Sequence, residues 1–151
     1  MSNAPVSFAA RLATKINTTG TVLCVGIDPH PHLMHSLFGG TDAIPGSPEA
    51  LTHLEAFCSE LIDAASGKVP AVKPQVALFE QHGPGGMRVL ADIARKARAA
   101  SLLVIMDAKR GDIGSTAEAY ASAWLGPDAL FPSDALTVNP YLGLDSLMPF
   151  I

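Results

Sequence analysis

The amino-acid sequence predicts an α/β fold built on a parallel sheet, and two observations support this prediction. Short aliphatic segments alternate along the chain with longer segments in which apolar residues recur at helical spacing. Each short segment also ends in a polar or charged residue. Because the carboxyl ends of parallel strands meet at one edge of the sheet, we expect these polar residues to gather there and form a site.

Composition and charge exclude several classes of function. The chain has 151 residues, which is enough for one domain with its own core. Its net charge is −4 and it contains no basic block, so we expect no nucleic-acid partner. No uninterrupted apolar run reaches the roughly 18 residues of a membrane span, so we expect no membrane partner either.

The two cysteines indicate the compartment. Cys24 and Cys58 lie far apart and have neither C-x-x-C nor zinc spacing, so we predict that both are reduced core thiols of a cytoplasmic protein. The N-terminus agrees with this prediction, because it lacks the basic region and apolar core of a signal peptide.

The first predicted elements are a short helix and a strand. The helix covers about residues 7–17, because Phe8, Leu12 and Ile16 fall on one face. The aliphatic residues at 21–28 predict the first strand, which Pro29 terminates. Asp28 therefore lies at the carboxyl end of a strand.

A surface loop is predicted at 30–48, since its Gly/Pro clusters exclude regular structure from the second half. It contains His30, His32 and His35, and an H-x-H pattern after a strand also begins the site of some metal-dependent hydrolases. Such sites need further ligands at later strand ends, and the sequence supplies none there. We therefore expect solvated histidines and no metal.

The middle of the chain predicts two helices around a second strand. Apolar residues at helical spacing predict helices at 49–65 and 87–100, and the residues at 69–75 predict the strand between them. The G-P-G-G run at 83–86 lacks the residues of a phosphate-binding loop and is predicted to be an ordinary loop. Lys73 lies where the second strand ends, either as a site residue or as a surface lysine whose stem packs along the protein.

The central strand carries the densest group of charges. An aliphatic run at 102–106 precedes the sequence D-A-K-R-G-D-I-G-S-T at 107–116. Side chains alternate along a strand, so Asp107 and Lys109 share one face while the apolar residues of the other face meet a helix layer. Residues 109–114 are predicted as a strand-to-helix loop, and Ser115 to Glu118 has the form of a capping box that starts the next helix. The alternative is a solvated charged turn without function.

The strand count predicts an incomplete barrel. A loop at 126–133 precedes a fourth strand at 134–139, and another helix starts at Asp145. Regular β/α alternation with right-handed crossovers is typical of a (β/α)₈ TIM barrel, which needs eight strands and about 250 residues. We therefore predict that residues 1–151 form the N-terminal half of a single barrel domain, supplying its first four strands. A genuine half-barrel that pairs to cover its open edge is the alternative.

Four strand-end motifs together resemble one enzyme family. They are V-G-I-D-P at 25–29, V-K-P-Q at 72–75, D-A-K-R-G-D-I-G-S-T at 107–116 and T-V-N-P-Y at 137–141. In this order they resemble orotidine 5'-phosphate decarboxylase, and the N-terminal helix and long first loop resemble its second, bacterial type. The resemblance covers nearly the whole chain but only about half of the family's length.

This resemblance implies the last step of UMP synthesis, in which orotidine 5'-phosphate loses CO₂ from C6 of its pyrimidine ring without metal or organic cofactor. It also implies a homodimer whose active sites are shared between subunits. Lys109 would donate the proton to C6, and Asp107 would lie beside the substrate carboxylate. Asp112 would reach the site from the partner subunit.

The resemblance also assigns substrate-binding positions. Lys73 and Asp28 would bind the ribose hydroxyls and complete the charge network. Ile113 and Thr116 would lie near the substrate, and Asn139 belongs to the fourth motif. The family's phosphate-binding residues belong to later strands, so this chain alone is expected to be inactive.

Two alternatives remain at this stage. One is a sugar-phosphate decarboxylase or aldolase that shares D-x-K-x-x-D but uses Mg²⁺, held partly by a glutamate near the end of the second strand. Lys73 and Gln75 occupy that strand end here, which disfavours a metal. The other alternative is a non-catalytic half-barrel fragment that dimerises.

Overall fold

The computed structural model describes residues 6–38 and 43–151, except for the side chains of residues 35–37. Its helices and strands alternate as the sequence predicts. The helices are α1 (Phe8–Thr19), α2 (Pro31–Phe38), α3 (Pro48–Ala65), α4 (Ala77–Glu80), α5 (Gly83–Ala99), α6 (Gly114–Leu125) and α7 (Leu144–Leu147). The strands are β1 (Cys24–Ile27), β2 (Ala71–Pro74), β3 (Leu103–Arg110) and β4 (Ala135–Val138), and short 3₁₀ turns cover Pro140–Leu142 and Met148–Phe150.

The four strands form one parallel sheet in the order β1-β2-β3-β4. Gly26 is opposite Lys73, and Val72 is opposite Val104, so the strands are aligned with little offset. This sequential order is what consecutive right-handed crossovers produce. It brings the carboxyl ends of all four strands to one edge.

The hydrophobic core lies between the sheet and the helices α3 and α5. Val72, Val104 and Met106 are fully buried on the helix-facing side of the sheet. Leu54 of α3 and Leu90 of α5 are fully buried against them. Burial of such side chains contributes about 1.5 to 3 kcal/mol each, so this layer holds the strands in place. The alternation predicted for β3 is confirmed.

The helix ends follow local sequence rules at two positions. The Oγ of Ser7 accepts a hydrogen bond from Ala10 N–H at 3.3 Å, and that of Ser47 accepts one from Ala50 N–H at 3.2 Å. Both serines therefore act as N-caps, for α1 and α3. No helix in the described ranges is long and apolar enough to cross a membrane.

The predicted loop at 30–48 is wrong in its first half, because residues 31–38 form α2. Pro31 opens this helix, a position that proline favours. Met34 is buried, and the ring of Phe38 meets that of Phe57 edge-on, with 5.6 Å between the centroids. These apolar contacts hold α2 against α3. Residues 39–42 of the predicted loop lie outside the described residues.

The prediction that the G-P-G-G run is an ordinary loop is also wrong. These residues form the first turn of α5, with Pro84 among its first positions. A Cβ atom at Gly86 would be 2.1 Å from the carbonyl oxygen of Phe79 in α4. Glycine is therefore present because the first turn of α5 approaches α4 closely, and not because the chain needs a flexible turn.

Two boundaries around the central strand differ from the prediction. β3 continues to Arg110, so Lys109 belongs to the strand and not to the following loop. The predicted capping box is wrong: α6 begins at Gly114, its N-cap residue is Ile113, and no side chain caps it. Ser115 therefore lies inside the first turn of the helix, where it cannot be the N-cap.

The cysteine prediction is half right. Both thiols are free, and Cys58 is buried in the core, where burial raises its pKa. Cys24 is exposed, in contrast to the prediction. It is the first residue of β1, an edge strand of the described sheet, and the neighbouring Val22 and Leu23 are also exposed.

Candidate active site

A cluster of polar side chains lies at the carboxyl edge of the sheet, with Asp107 at its centre. Asp107 projects from β3 on the face opposite the helix layer. Lys73 reaches it from β2, Thr137 from β4, and Lys109 from two residues further along β3. Three neighbouring strands thus supply one site, as the polar strand ends of the sequence predict.

The carboxylate of Asp107 accepts four hydrogen bonds. Its Oδ2 lies 2.6 Å from Lys73 Nζ and 3.2 Å from Gln75 Nε2. Its Oδ1 lies 2.5 Å from Lys109 Nζ and 3.0 Å from Thr137 Oγ1. Four donors match the lone pairs of one ionised carboxylate, so its position is fixed from every side.

Asp107 is almost buried, with 11 % of its side chain exposed. Burial by itself raises the pKa of this carboxyl group, but hydrogen bonds from Lys109, Lys73 and Thr137 and the charge of Lys73 outweigh burial and lower the pKa to about 2. The group is therefore an anion at neutral pH. Its charge is held in a place where water screens it poorly.

Lys73 stays protonated because of the same contact. The hydrogen bond to Asp107 raises the pKa of its ammonium group, burial opposes this, and the charges of Asp107 and Asp28 raise the pKa further. The lysine is not a surface residue that only packs its stem along the protein. It is one of the cations that hold Asp107 ionised.

Lys109 is the exposed member of the cluster. Its side chain is 62 % exposed even though Nζ contacts Asp107. Its backbone is left-handed, with φ of 51°. Residues other than glycine rarely adopt this conformation, and they do so most often where neighbouring contacts enforce it. The ammonium group is thus held at one side and open to an incoming molecule at the other.

Asp28 lies at the carboxyl end of β1, beside this cluster. In the pairing of β1 with β2, Gly26 is opposite Lys73 and Ile27 is opposite Pro74, so Asp28 follows directly beside the end of β2. Its charge contributes to the raised pKa of Lys73. A Cβ atom at Gly26 would be 2.5 Å from Asp28 Oδ2. The missing side chain of Gly26 therefore leaves the space in which the Asp28 carboxylate sits.

The remaining predicted site residues lie on the segments that follow β3 and β4. Ile113 and Thr116 are exposed, and Asp112 is half-buried with its Oδ1 accepting the Ile113 N–H at 2.8 Å. Asn139 is exposed, and its Oδ1 accepts the Tyr141 N–H at 3.0 Å. The structure does not bring these four side chains into the hydrogen-bonded cluster around Asp107.

Sequence reasoning missed two members of the cluster, Gln75 and Thr137, as partners of Asp107. Both stand within strand-end motifs, and both lie on the same face of the sheet as the charged residues. Gln75 lies two residues after Lys73, and Thr137 lies two residues before Asn139. Because alternate residues of a strand share a face, this spacing is the signal that could have identified them.

The described residues contain no group of three or more His, Cys, Asp or Glu side chains placed to hold a metal ion. His30 and His32 are exposed at the start of α2, with their rings stacked 5.4 Å apart. The side chain of His35 lies outside the described residues. The cluster around Asp107 itself supplies fixed charges and lysine protons.

The fold and the cluster define a class: α/β proteins of the barrel type, with a charged site at the carboxyl ends of parallel strands. Comparison with known proteins narrows the class. The sequence model of the orotidine 5'-phosphate decarboxylase / HUMPS family matches residues 21–151. The chain belongs to this family, and the predicted resemblance is confirmed.

Individual relatives agree with this assignment. An orotidine 5'-phosphate decarboxylase of Rhodopirellula baltica is 47 % identical over 150 residues, which are 97 % of this chain and 50 % of the relative. One of Streptomyces coelicolor is 47 % identical over 144 residues, which are 95 % of this chain and 49 % of the relative. The chain spans about half the length of the curated relatives it matches.

Solved structures give the same result. A Streptomyces avermitilis protein assigned as an orotidine 5'-phosphate decarboxylase superposes with a TM-score of 0.86 at 44 % identity, covering 99 % of this chain and 50 % of that one. The OMP decarboxylase of Leishmania donovani gives a TM-score of 0.73 at 33 % identity, covering 96 % of this chain and 49 % of that one. The predicted fold class, an α/β TIM barrel of which this chain supplies four strands, is confirmed.

Proposed function

We propose that this chain supplies the lysine–carboxylate site of an orotidine 5'-phosphate decarboxylase, which converts orotidine 5'-phosphate to UMP in pyrimidine biosynthesis. The observation that supports it is the contact network of Lys73, Asp107 and Lys109, with distances of 2.6 and 2.5 Å. Residues 1–151 would be the N-terminal half of one (β/α)₈ barrel domain, since the chain matches half of each relative.

Lys109 is the proposed proton donor. Loss of CO₂ breaks the bond between C6 and the carboxylate, and both electrons of that bond stay on C6. The ring delocalises this pair poorly, so a nearby cation lowers the barrier and its proton then completes the C6–H bond. Lys109 suits both roles, because Asp107 holds its ammonium group on one side while the side chain is 62 % exposed.

Asp107 is proposed to lie beside the substrate carboxylate. It remains ionised, since its pKa is about 2. Two carboxylates side by side repel each other, and departure of neutral CO₂ moves the substrate's charge away from Asp107 to C6, where the proton from Lys109 neutralises it. The fixed position of Asp107 makes this repulsion unavoidable for a bound substrate, which favours the reaction in the forward direction.

The ribose is proposed to bind at Lys73 and Asp28. Lys73 donates hydrogen bonds and Asp28 accepts them, so the pair can hold two neighbouring hydroxyl groups. Asn139, at the end of β4, is proposed as a further substrate contact through its amide nitrogen, because its oxygen is bonded to Tyr141. No metal or organic cofactor takes part in this scheme.

We also propose a homodimer with shared active sites. Ile113 and Thr116 are exposed on the segment after β3, and Asp112 lies in the same segment. This arrangement allows the three residues to enter the site of a partner subunit, where Asp112 would add a second carboxylate near Lys109. The enzyme would be cytoplasmic, as the nucleotide substrate and the two free thiols suggest.

The proposal is tested by completing the barrel. Residues 1–151 are fused to the half of the Rhodopirellula baltica relative that this chain does not match, and loss of orotidine 5'-phosphate is followed by ultraviolet absorbance. We expect the fusion protein to be active and the 151-residue chain alone to be inactive. Lys109→Ala should lower the turnover of the fusion protein at least about 1,000-fold, since it removes both the proton donor and the stabilising charge.

Lys68→Ala is the matched control, because Lys68 is exposed and precedes β2 at the opposite end of the strand. Its turnover should stay within about twofold of the parent fusion protein, as for most exposed positions away from a site. A folded fusion protein without decarboxylase activity would contradict the proposal. So would a Lys109→Ala variant as active as Lys68→Ala.

A further inference from the structure

We propose that Thr137 is a positioning residue for Lys109. Its hydroxyl group joins the Lys109 backbone to the Asp107 carboxylate, so that the two side chains of the proposed chemistry are held in one fixed relation. The inference rests on the proposed function, but its structural part can be tested separately.

The pairing of β3 with β4 shows why such a residue is needed. Met106 is opposite Leu136 and Arg110 is opposite Val138, so β3 advances four residues where β4 advances two. The extra residues form a bulge that contains Asp107 and Lys109. A bulge interrupts the regular ladder of hydrogen bonds, and groups within it need other partners. Thr137 is the β4 residue opposite this bulge.

The Thr137 hydroxyl group is the hydrogen-bond partner of two groups in the bulge. It accepts the backbone N–H of Lys109 at 2.9 Å and donates to Asp107 Oδ1 at 3.0 Å. A hydroxyl group can do both at once, whereas valine, which has the same shape, can do neither. The interaction that a strand carbonyl would make with Lys109 in a regular ladder is therefore made by a side chain that also contacts the carboxylate.

The conformation of Lys109 depends on these contacts. Its left-handed backbone, with φ of 51°, is unfavourable for a residue with a side chain. Arg110 holds the chain on the other side, because its Nη1 donates to the Ala108 carbonyl at 3.1 Å across Lys109 and its own carbonyl accepts the Asn139 N–H at 2.8 Å. Thr137 is the side chain that secures the Lys109 N–H itself.

The same hydroxyl group also restricts where the Lys109 ammonium group can lie. Asp107 Oδ1 accepts from both Thr137 Oγ1 and Lys109 Nζ. Because the Thr137 hydroxyl group occupies one lone pair of Oδ1, the Lys109 ammonium group can bond only to the other lone pair. Loss of the hydroxyl group would leave the Lys109 N–H without this partner and would widen the range of positions open to its ammonium group.

The test compares Thr137→Val, Thr137→Ser and the control Thr18→Val in the fusion protein. Two properties are measured: the kinetic constants for orotidine 5'-phosphate and the hydrogen-exchange protection of the Lys109 amide. We expect Thr137→Val to lower kcat about 10- to 100-fold with KM changed by less than about threefold, since a misplaced donor affects the transition state more than substrate binding. The Lys109 amide should exchange faster in this variant.

Thr137→Ser should restore most of kcat and of the amide protection, because it keeps the hydroxyl group. Thr18→Val should change neither, since Thr18 is exposed on α1. Unchanged kcat in Thr137→Val, unchanged amide protection, or a serine variant as impaired as the valine variant would each overturn the inference. If the parent fusion protein is folded but inactive, the proposed function fails, and the amide protection still decides whether Thr137 holds Lys109.

Discussion

Asp107 and Asp134 are two buried carboxylates at opposite edges of the same sheet, and each contacts two cationic side chains. Asp107 lies towards the carboxyl end of β3, and Asp134 directly precedes β4. Burial and charge pairing are therefore alike at the two positions. The difference lies in which groups their partners are and at which edge of the sheet each carboxylate lies.

Asp134 joins elements of the fold. Its side chain is 1 % exposed, and it forms an ion pair with Arg11 of α1 and lies 4.0 Å from Arg98 of α5. Its Oδ2 accepts the backbone N–H of Val104 in β3 at 2.8 Å. A helix, a second helix and a strand thus meet at one carboxylate. Such a group stabilises the structure and has little freedom to meet a ligand.

Asp107 is different because all four donors to its carboxylate are side chains, whereas Asp134 also accepts a backbone N–H. Its removal would separate no helix from the sheet. A buried ion pair alone therefore does not indicate a site. The cations are similarly open at both carboxylates, since Arg11 is 40 % exposed and Lys73 is 37 % exposed. What distinguishes Asp107 is its place at the carboxyl edge of the parallel sheet, which is where sites form in such folds.

We expect the largest loss of stability when Asp134, the structural carboxylate, is replaced. Asp134→Ala removes the partner of Arg11 and leaves the buried Val104 N–H without its acceptor. We expect a loss of about 3 kcal/mol in the free energy of unfolding of the 151-residue chain, at the low end for a buried pair because Arg11 is 40 % exposed. Urea denaturation followed by circular dichroism measures it.

Two variants calibrate this result. Asp134→Asn keeps an oxygen for the Val104 N–H and should lose only about 1 to 2 kcal/mol. Asp92→Ala breaks an exposed pair with Arg95 on α5 and should lose no more than about 0.5 kcal/mol. If Asp134→Ala is no less stable than Asp92→Ala, Asp134 is not the structural link that its contacts indicate.

The second effect is the pH dependence that Asp107 gives to stability. Its pKa is about 2 in the folded chain against an ordinary value of 3.8, so folding favours the ionised form. The resulting stability is complete above about pH 4 and is lost as the pH falls towards 2. We expect it to be about 1 to 2 kcal/mol after allowance for solvent around the two lysines.

The measurement compares the chain with its Asp107→Asn variant by urea denaturation between pH 6 and pH 2. The difference in unfolding free energy should be constant down to about pH 4 and should shrink below it, as the wild-type carboxylate becomes protonated. A difference that stays constant to pH 2 would mean that the two lysines do not stabilise the anion. Asp107 would then resemble an ordinary exposed carboxylate.

The core of the candidate site is predictable from the sequence for a physical reason. Asp28, Lys73, Asp107 and Lys109 all stand at the carboxyl ends of short aliphatic runs, and a parallel sheet brings such ends together whatever the details of packing. Strand alternation then gives the common face of Asp107 and Lys109. The four strands and their order follow from the same pattern.

Contacts between distant segments could not be predicted in this way. The bulge in β3 depends on its pairing with β4, so the role of Thr137 is visible only when both strands are in place. Gly86 looks like a loop glycine until α4 is seen against it. Asp134 looks like a strand residue until Arg11, 123 positions earlier, is beside it. Each depends on tertiary packing, which local sequence does not encode.

The smallest effect that we expect is a change in the pKa of Lys73, which differs according to which of its two neighbouring carboxylates is removed. Asp107 raises the pKa of Lys73 through a hydrogen bond and through its charge, whereas Asp28 contributes through charge alone. Both Asp28→Asn and Asp107→Asn should therefore lower this pKa, and Asp28→Asn should lower it less. Carbon-13 NMR of the lysine Cε signals against pH measures the change, with exposed Lys68 as the internal reference that neither variant should move.

An equal decrease in both variants would mean that Asp28 is bonded to Lys73 as firmly as Asp107 is. No decrease in Asp28→Asn would mean that its carboxylate lies too far away to act on the ammonium group. The intermediate result is the one that suits a ribose-binding residue, because a carboxylate that acts only through its charge keeps its lone pairs available for a substrate's hydroxyl groups.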